Sequence, residues 1–424
     1  MKSRYLSVVF FTGFLLLSGI TRAADIAVSP GNGTLAQAVA DASSGDTLVL
    51  DYGSYVGNGD LVIDKSLTIR SMNAQTLTAI IVGGAVTIDG TDIDVTLQGL
   101  GFSSLNVNVV AAADVKLLEN KFVSGADANV TEYKTTDNDG RLTIVGNHFS
   151  VGSLITTINS EDAYIAGNTF DRGHIVSNAS VWIVGNSIRG TNNTDVIHID
   201  TVGFARVLAN RVYMPGSVND NRYDGIDIKA GAALVAGNIV QVNHNSSTYV
   251  RRGIYVHSAA AARVVNNVVD AGSITHYVYG GQSYGILAYG EVSGNMVINL
   301  QGRFKGIAGS SVEGVKNNLC FANTHNSCGS AAITVDPKLI DRINYQLASD
   351  SPAIDAGSTN PLLADLDRSR NDIGAHGGSW DISQYDAQRD PLYLGPFVYP
   401  LFEANSGFVD GKLQVRALGV ARLR

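Results

Sequence analysis

Titratable and aromatic side chains recur at matching positions in four short segments in the middle of the chain. The segments are 195–200, 224–229, 252–257 and 284–289, and their isoleucine or other apolar residues align when they are superposed. Between the apolar positions they carry Asp195, His198, Asp200, Asp224, Asp227, Lys229, Arg252, Tyr255, His257, Tyr284 and Tyr289. Carboxylates, imidazoles, phenols and cations at one place are the groups that acid–base chemistry uses.

This mixture suits removal of the proton next to a carboxylate in a uronic-acid glycan, by β-elimination or C5 epimerisation. That reaction needs a base and a cation that neutralises the substrate carboxylate. Tyr255, His257 or His198 could serve as base or acid, and Arg252 or Lys229 as the cation. The candidate catalytic residues are therefore His198, Asp227, Lys229, Arg252, Tyr255 and His257.

Other residues of the same region are candidates for binding a substrate or a metal. Tyr223 and Arg251 lie where long loops enter two of the segments, and the candidate substrate-binding residues are Asp200, Tyr223, Arg251, Tyr284 and Tyr289. No cofactor is required by this chemistry. Ca²⁺ bridging to substrate is an option, for which Asp195 and Asp224 are the candidate ligands.

Two other classes of function remain open from the sequence. Asp200 and Asp227 are predicted to lie roughly 8 Å apart by strand geometry, a spacing compatible with an inverting glycoside hydrolase. A non-catalytic surface or matrix protein that binds glycan is the third hypothesis, because outward strand faces are commonly polar. The expected partner is in each case a polysaccharide or a cell-surface glycan, and the expected state is a monomer.

The four segments can share one surface only if successive turns of the chain stack. Period two directs Ile197, Ile226, Ile254 and Ile286 inward, so the residues between them point out. Three outward columns are predicted: His198, Asp227, Tyr255 and Leu287; Asp200, Lys229, His257 and Tyr289; and Asp195, Asp224, Arg252 and Tyr284. With strands about 4.8 Å apart, these columns form one patch.

A repeat along the whole chain predicts such stacking. A short apolar strand ending in Asn-x-apolar recurs at Asn120, Asn147, Asn168, Asn186, Asn210, Asn238, Asn267, Asn295 and Asn318. The irregular spacing favours coils with fixed strands and variable loops. Asn tolerates left-handed backbone at a turn, and stacked Asn side chains are expected to form a hydrogen-bonded ladder. The fold class is thus predicted as all-β, a right-handed parallel β-helix solenoid with an N-terminal capping helix and a C-terminal β extension.

Both ends of the repeat carry family-like motifs. A short amphipathic helix is predicted over 33–43, followed by Gly45-Asp46-Thr47 and a strand, and this opening resembles pectate-lyase-like β-helix proteins. Near the other end, Asp336-Pro337, Ser351-Pro352-Ala353 and Asn371-Asp372-Ile373-Gly374 resemble the closing segment of the choice-of-anchor Q type. These resemblances imply the architecture, whereas the fold itself hosts several chemistries.

The remaining features bear on domain organisation and location. Residues 1–23 read as a signal peptide, with Lys2 and Arg4 before an apolar run too short to span a bilayer, which predicts a secreted or periplasmic, possibly surface-associated protein. The units that follow are a cap (24–60), coils (61–333), a closing segment (334–378) and an extension (379–424).

Charge and cysteine content set further limits. The net charge is −8, or −11 without residues 1–23, which argues against a nucleic-acid partner. No later segment is apolar enough for a membrane span. The two cysteines, Cys320 and Cys328, are expected to form one disulfide that pins a short loop.

Overall fold

The computed structural model describes most of the chain between residues 23 and 385 and short pieces beyond it. The described residues are 23–73, 79–110, 113–123, 129–132, 141–150, 153–157, 163–191, 194–215, 223–243, 251–258, 260–272, 283–300, 304–309, 314–385, 397–401, 408–409, 412–413 and 416–420. The predicted signal peptide and most of the extension therefore lie outside the described residues.

Each coil of the chain contributes strands to three parallel ladders, here called faces 1, 2 and 3. Face 1 runs through Leu61–Ile63, Ala85–Ile88, Asn106–Val109, Asn129–Glu132, Ser153–Thr157, Gly173–Ser177, the first half of Ile197–Leu208, the first half of Tyr223–Ala236, Arg251–Val256, Ser283–Ala288 and Phe304–Gly309.

Face 2 follows face 1 in each coil. It runs through Asp25–Val28, Thr47–Leu50, Leu67–Ser71, Ile93–Gln98, Ala113–Leu118, Leu142–Val145, Ala163–Ala166, Val181–Val184, the second halves of Ile197–Leu208 and Tyr223–Ala236, Ala261–Val265, Gly290–Ser293 and Val315–Lys316.

Face 3 completes the coil. It runs through Gly31–Asn32, Gly53–Val56, Ala79–Val82, Leu100–Ser103, Lys121–Val123, His148–Phe149, Thr169–Phe170, Ser187–Arg189, Arg211–Met214, Ile239–Val242, Val268–Asp270, Met296–Ile298 and Leu319–Phe321. All three ladders are parallel, so the predicted all-β parallel solenoid is confirmed.

The predicted asparagine ladder lies at the turn between faces 2 and 3. The Nδ2 of Asn186 donates to Oδ1 of Asn210 (2.9 Å), and Asn210 donates in the same way to Asn238 (2.9 Å). The same Oδ1 atoms also accept from the backbone N–H one coil below, as at Asn186 (2.9 Å). The ladder side chains are almost completely buried, and their amides satisfy backbone groups that the tight turn would otherwise leave unpaired.

The left-handed backbone of this turn lies one residue earlier than the sequence analysis expects. Gly185 (φ 63°), Ala209 (φ 53°) and Asn266 (φ 56°) precede ladder asparagines and carry the positive φ. The ladder residue itself stays out of that region, because its side chain must point along the helix axis to reach the next coil. Glycine or asparagine before the ladder residue is thus the local signal of the turn.

Apolar side chains from all three faces fill the interior. Phe102, Phe122, Phe149 and Phe170 stack with ring centroids 4.5 to 4.9 Å apart, directly after the ladder turn. The inward isoleucines of the four aligned segments, Ile197, Ile226, Ile254 and Ile286, are fully buried in the same core. Their burial fixes which residues of those segments face out.

A short helix near the amino terminus packs against the core. The helix predicted over 33–43 is present as Thr34–Asp41, with Leu35 and Val39 in the core, and Lys65 donates to the carbonyls at its carboxyl end. The predicted disulfide between Cys320 and Cys328 is present.

Among the described residues, no helix is both long and apolar enough to cross a bilayer.

Residues 334–385 pack along the outside of the coils rather than over their open end. Tyr345, Ile373, Ile382 and Tyr385 form a second apolar cluster with outward residues of face 2 such as Trp182. Short 3₁₀ turns occur at Pro361–Leu363 and Gly378–Trp380. Antiparallel pairs join Phe397–Leu401 to Arg416–Val420 and Phe408–Val409 to Lys412–Leu413.

Candidate functional site

Stacked glycines set the backbone of face 1 where the four aligned segments begin. A Cβ on Gly225 would lie 2.6 Å from the carbonyl oxygen of Gly253, and one on Gly253 would lie 2.8 Å from that of Gly285. These are closer approaches than a real Cβ makes, so only glycine allows the coils to stack here. The residue before each glycine is thereby held at a fixed place beside its neighbour one coil away.

The first predicted column is present as one line of side chains. Backbone pairing aligns His198 with Asp227 and Asp227 with Tyr255, and Tyr255 with Leu287. His198 and Tyr255 are half-buried, whereas the Asp227 side chain is only 7% exposed. A buried carboxylate between more exposed neighbours is shielded from water, which strengthens its interactions with them.

Asp227 is the centre of a cluster with two imidazoles. Its Oδ2 lies 2.9 Å from Nδ1 of His198, and its Oδ1 lies 2.9 Å from Nε2 of His257. The same Nδ1 of His198 lies 3.2 Å from Oδ2 of Asp195. We call Asp195, His198, Asp227 and His257 the His–Asp cluster.

The electrostatics of the cluster differ between its members. Hydrogen bonds to Asp195 and then Asp227 raise the pKa of His198 to about 9, against the opposing effect of burial. Burial would raise the pKa of Asp227, but the hydrogen bond from His198 and the charge of His257 outweigh it and lower that pKa. At neutral pH the cluster therefore holds a protonated His198 beside an ionised Asp227.

Beside the cluster lies a buried ion pair. Nε of Arg252 donates to Oδ1 of Asp224 (2.8 Å), and its Nη2 contacts Oδ2. Both side chains are 3–4% exposed, and burial raises the pKa of Asp224 to about 7 although Arg252 opposes the shift. The backbone N–H of Asp224 donates to Oδ1 of Asp195 (2.6 Å), which ties this pair to the His–Asp cluster.

This burial changes two predicted roles. The prediction that Arg252 neutralises a substrate carboxylate does not fit its position, since its guanidinium already binds Asp224 and lies beneath the Tyr255 ring, with Cζ 3.3 Å from the ring centroid. The prediction that Asp224 binds a metal fails for the same reason. Two of the four residues of the third column, Asp224 and Arg252, turn into the core at this bend instead of facing solvent, which the two-residue period cannot reveal.

The second predicted column is out of register by one residue. A shift after Ile199 pairs Asp200 with Ala230 rather than with Lys229. Nζ of Lys229 nevertheless reaches Oδ2 of Asp200 (3.0 Å), and this hydrogen bond raises the pKa of the exposed lysine. His257 instead contacts Asp227. The predicted column is therefore split into the Asp200–Lys229 pair and the His257–Asp227 pair.

The predicted substrate-binding residues are scattered. Tyr223 is 1% exposed and its hydroxyl donates to the carbonyl of Pro215, so it is a core residue and the prediction that it contacts substrate is wrong. The Arg251 side chain lies outside the described residues. Tyr284 is half-buried on face 1, one coil beyond the cluster, and Tyr289 is half-buried at the bend between face 1 and face 2 of that coil.

One cation of this face is missed by the sequence analysis. Lys305 pairs with Tyr284 in the next coil, and its Nζ lies 6.0 Å from the centre of the Tyr284 ring. The signal for it is Lys305-Gly306-Ile307, which repeats the pattern of Asp224-Gly225-Ile226. A fifth aligned segment therefore extends the polar side of face 1.

A metal ion would have a different ligand set from the one predicted. Asp195, His198 and Asp227 each offer one ligand atom, and these atoms lie within 4.8 Å of one another. Ca²⁺ prefers all-oxygen sites, whereas a set with an imidazole nitrogen suits Zn²⁺ or another transition metal. The donor set thus fits Ca²⁺ poorly. Without a metal ion, the proton on His198 balances the charge of the neighbouring carboxylates and hydrogen-bonds to them.

Comparison with known proteins gives structural likeness only. No protein-family model matches the sequence, and no curated protein matches it. Among solved structures, a PL6 alginate lyase in complex with a trisaccharide has 12% identity and a TM-score of 0.40, covering 85% of this chain and 96% of that one. The alginate lyase AlyF-OU02 has 13% identity, a TM-score of 0.44 and coverages of 81% and 94%.

The pectate lyase Pel9A is similar at 14% identity and a TM-score of 0.33, with coverages of 84% and 97%. At such identities and scores, the likeness carries no argument about chemistry. The function has to be argued from the side chains of this chain.

Proposed function

We propose that the protein acts on a uronic-acid polysaccharide, removing the proton at C5 beside the carboxylate in a lyase or C5-epimerase reaction. The observation that carries the proposal is the His–Asp cluster, in which one ionised carboxylate is shared by two imidazoles on an outward face. This arrangement provides a base and a cation within one hydrogen-bonded group.

His257 is the proposed base. Its Nε2 is bound to Asp227, which fixes the ring, stabilises the imidazolium formed on protonation and leaves Nδ1 to accept the C5 proton. The His257 ring also packs against the Tyr255 ring, with centroids 3.9 Å apart and planes tilted by 44°, which restricts its rotation. A base held in this way needs little reorganisation during the reaction.

His198 is the proposed electrostatic partner. Because its pKa is raised to about 9, it is a cation at neutral pH and can face the substrate carboxylate as the charge moves onto it. Exposed Lys229 on the neighbouring strand adds a second positive charge. His198 thus takes the role that the sequence analysis gave to Arg252, and Lys229 keeps the same role that it was given there.

The electrons and protons balance without a cofactor. In elimination, the C5–H pair forms the C4–C5 double bond, the C4–O bond breaks, and the departing oxygen takes a proton from Tyr255 or water. In epimerisation, the C4–O bond stays intact, and Tyr255 or water instead donates a proton to the carbanion on the opposite face of C5. A divalent cation at Asp195, His198 and Asp227 would supply charge neutralisation in place of the His198 proton.

The geometry disfavours the hydrolase hypothesis. An inverting hydrolase needs one carboxyl with a raised pKa to protonate the leaving oxygen. The pKa of Asp227 is lowered, and Asp200 is ion-paired with Lys229. Asp224, whose pKa is raised, is buried beneath Arg252 and cannot reach a sugar.

The test is incubation of the purified protein with alginate and with polygalacturonate. The proposal expects either the absorbance of an unsaturated uronate end or, without chain cleavage, deuterium incorporation at C5 from heavy water. New reducing ends without that absorbance would establish hydrolysis instead. Binding of polymer with neither product nor exchange would establish the glycan-binding protein.

A further inference from the structure

A second groove lies on face 3, on a different ladder from the His–Asp cluster. Its main cavity has a volume of about 720 Å³, and its floor is formed by residues of four successive coils, among them Thr169 and Ser187. One wall is Ile343 of the segment that packs along the coils. A smaller cavity of about 400 Å³ continues it and shares Tyr213 and Gln241 with it.

The groove is lined with arginines although the protein as a whole is acidic. Arg172, Arg189 and Arg211 line the main cavity, and Arg342 lines the smaller one. The Asp171 carboxylate of the main cavity is already bound by His148, with Nε2 2.8 Å from Oδ2. Asp270, the carboxylate of the smaller cavity, accepts hydrogen bonds from Tyr345 (2.8 Å) and Asn299 (2.8 Å). Four arginines against these two carboxylates leave a local excess of positive charge in a chain of net charge −8.

The arginines are partly fixed in place before any ligand arrives. Arg189 lies over the Tyr213 ring, with Cζ 4.8 Å from its centroid, and Tyr213 in turn accepts a hydrogen bond from Asn243 (2.9 Å). Arg211 donates to the Ile343 carbonyl (2.7 Å) and so holds the wall of the groove. Guanidinium groups held in this way lose less entropy on binding an anion.

One arginine of the groove lies on each of three successive coils. Arg172, Arg189 and Arg211 are staggered across coils spaced about 4.8 Å apart, since Arg189 pairs with Tyr213 whereas Arg211 pairs with Ser187. A single small anion would use only one of them. A chain that carries a negative charge on each unit can contact all three, and the hydroxyls of Thr169 and Ser187 can bond to sugar hydroxyls below it.

We propose that this groove binds an oligosaccharide with repeated carboxylates, at a site separate from the His–Asp cluster. The choice of uronates rests on the proposed function, whereas the site itself does not. The groove would hold a polymer on the protein without taking part in bond cleavage. A nucleic acid is disfavoured as the ligand because its backbone carries charge at a higher density, so the acidic remainder of the surface would repel it more strongly.

The test is calorimetric measurement of binding to the full chain. Three hexasaccharides are compared: one of guluronate, one of galacturonate and a neutral one of β-linked glucose. The protein carries Asp227→Asn and His257→Asn, so that no ligand is consumed at the cluster. A uronate hexamer is expected to bind, with affinity falling as salt rises, and the neutral hexamer to bind at least about tenfold more weakly.

Adding Arg172→Gln and Arg189→Gln should weaken uronate binding about tenfold or more. Both side chains are exposed, and Arg189 packs over the Tyr213 ring at the surface, so the substitutions are expected to leave the fold intact. Arg263→Gln on face 2, where Arg263 pairs with Glu291, is the matched control and should change nothing.

Equal uronate affinity with and without the two groove substitutions would overturn the inference, as would the absence of any uronate binding. Equal affinity for a single-stranded oligonucleotide would also overturn it, because it would show charge attraction alone. Binding that survives while the native protein gives no unsaturated or exchanged product would refute the proposed function and leave the groove standing.

Discussion

Nε2 of His257 lies 2.9 Å from Oδ1 of Asp227, although the two residues are 30 positions apart along the chain. The contact crosses from one coil to the next, and it orients an imidazole toward solvent with a buried carboxylate behind it. His198 takes the other oxygen of the same carboxylate. The proposed chemistry depends on this shared carboxylate.

Replacing the proposed base should abolish most of the activity without unfolding the protein. His257→Asn removes the ring nitrogen that accepts the proton, and a general base contributes about 10²- to 10⁴-fold to a rate. Turnover on uronate polymer, measured by unsaturated ends or deuterium exchange, should fall by about that factor. His148→Gln on face 3 is the control, and a matching loss there, or full activity in His257→Asn, would refute the assignment.

Replacing the shared carboxylate should shift the titration of His198. In Asp227→Asn, the neutral amide no longer stabilises the imidazolium, so the pKa of His198 should fall from about 9 toward its ordinary value. Titration of the His198 ring signals by NMR measures this directly. An unchanged pKa would mean that Asp195 alone holds the proton.

Stability should depend on pH through His198. Its pKa in the folded protein, about 9, lies above the usual unfolded value of 6.5, so the contribution is fully present below pH 6.5 and is lost as pH rises toward 9. Denaturant unfolding should show a decreasing free energy of unfolding over that window. In His198→Gln, the free energy of unfolding should no longer decrease over this pH range. A decrease that persists in that variant would assign the pH dependence to another group.

Breaking the buried ion pair should destabilise the fold strongly. Arg252→Met leaves the buried Asp224 carboxylate without its partner, a change that typically costs about 3–5 kcal/mol. The double variant Arg252→Met, Asp224→Leu should recover much of that loss, because no unpaired charge remains. A double-mutant cycle of unfolding free energies tests this, and additive losses would show that the pair is not coupled.

Added cations should show whether the His–Asp cluster binds a metal ion or is held together by the proton on His198. Ca²⁺ is expected to leave the melting temperature unchanged, because one of its two predicted ligands, Asp224, is bound by Arg252. A rise with Zn²⁺ that disappears in His198→Gln would show that the His–Asp cluster binds a metal. A rise with Ca²⁺ that disappears in Asp195→Asn would restore the original calcium hypothesis.

The sequence by itself determined the coil architecture and much of the site. The recurring Asn-x-apolar motif predicted both the solenoid and its ladder, because an amide that donates to the next coil can only repeat where coils stack. The inward isoleucines fixed which residues of the four segments point out, and the alignment of His198, Asp227 and Tyr255 followed.

Only the tertiary structure decided which of those outward residues remain available. Alternation specifies a face but not a bend or a bulge, so it could not show that Asp224 and Arg252 turn into the core, that Tyr223 is buried, or that Asp200 slips by one position. Those outcomes depend on desolvation and on contacts between coils. The arginine groove was hidden for the same reason, since one of its walls comes from Ile343, more than 100 residues beyond the coils that it covers.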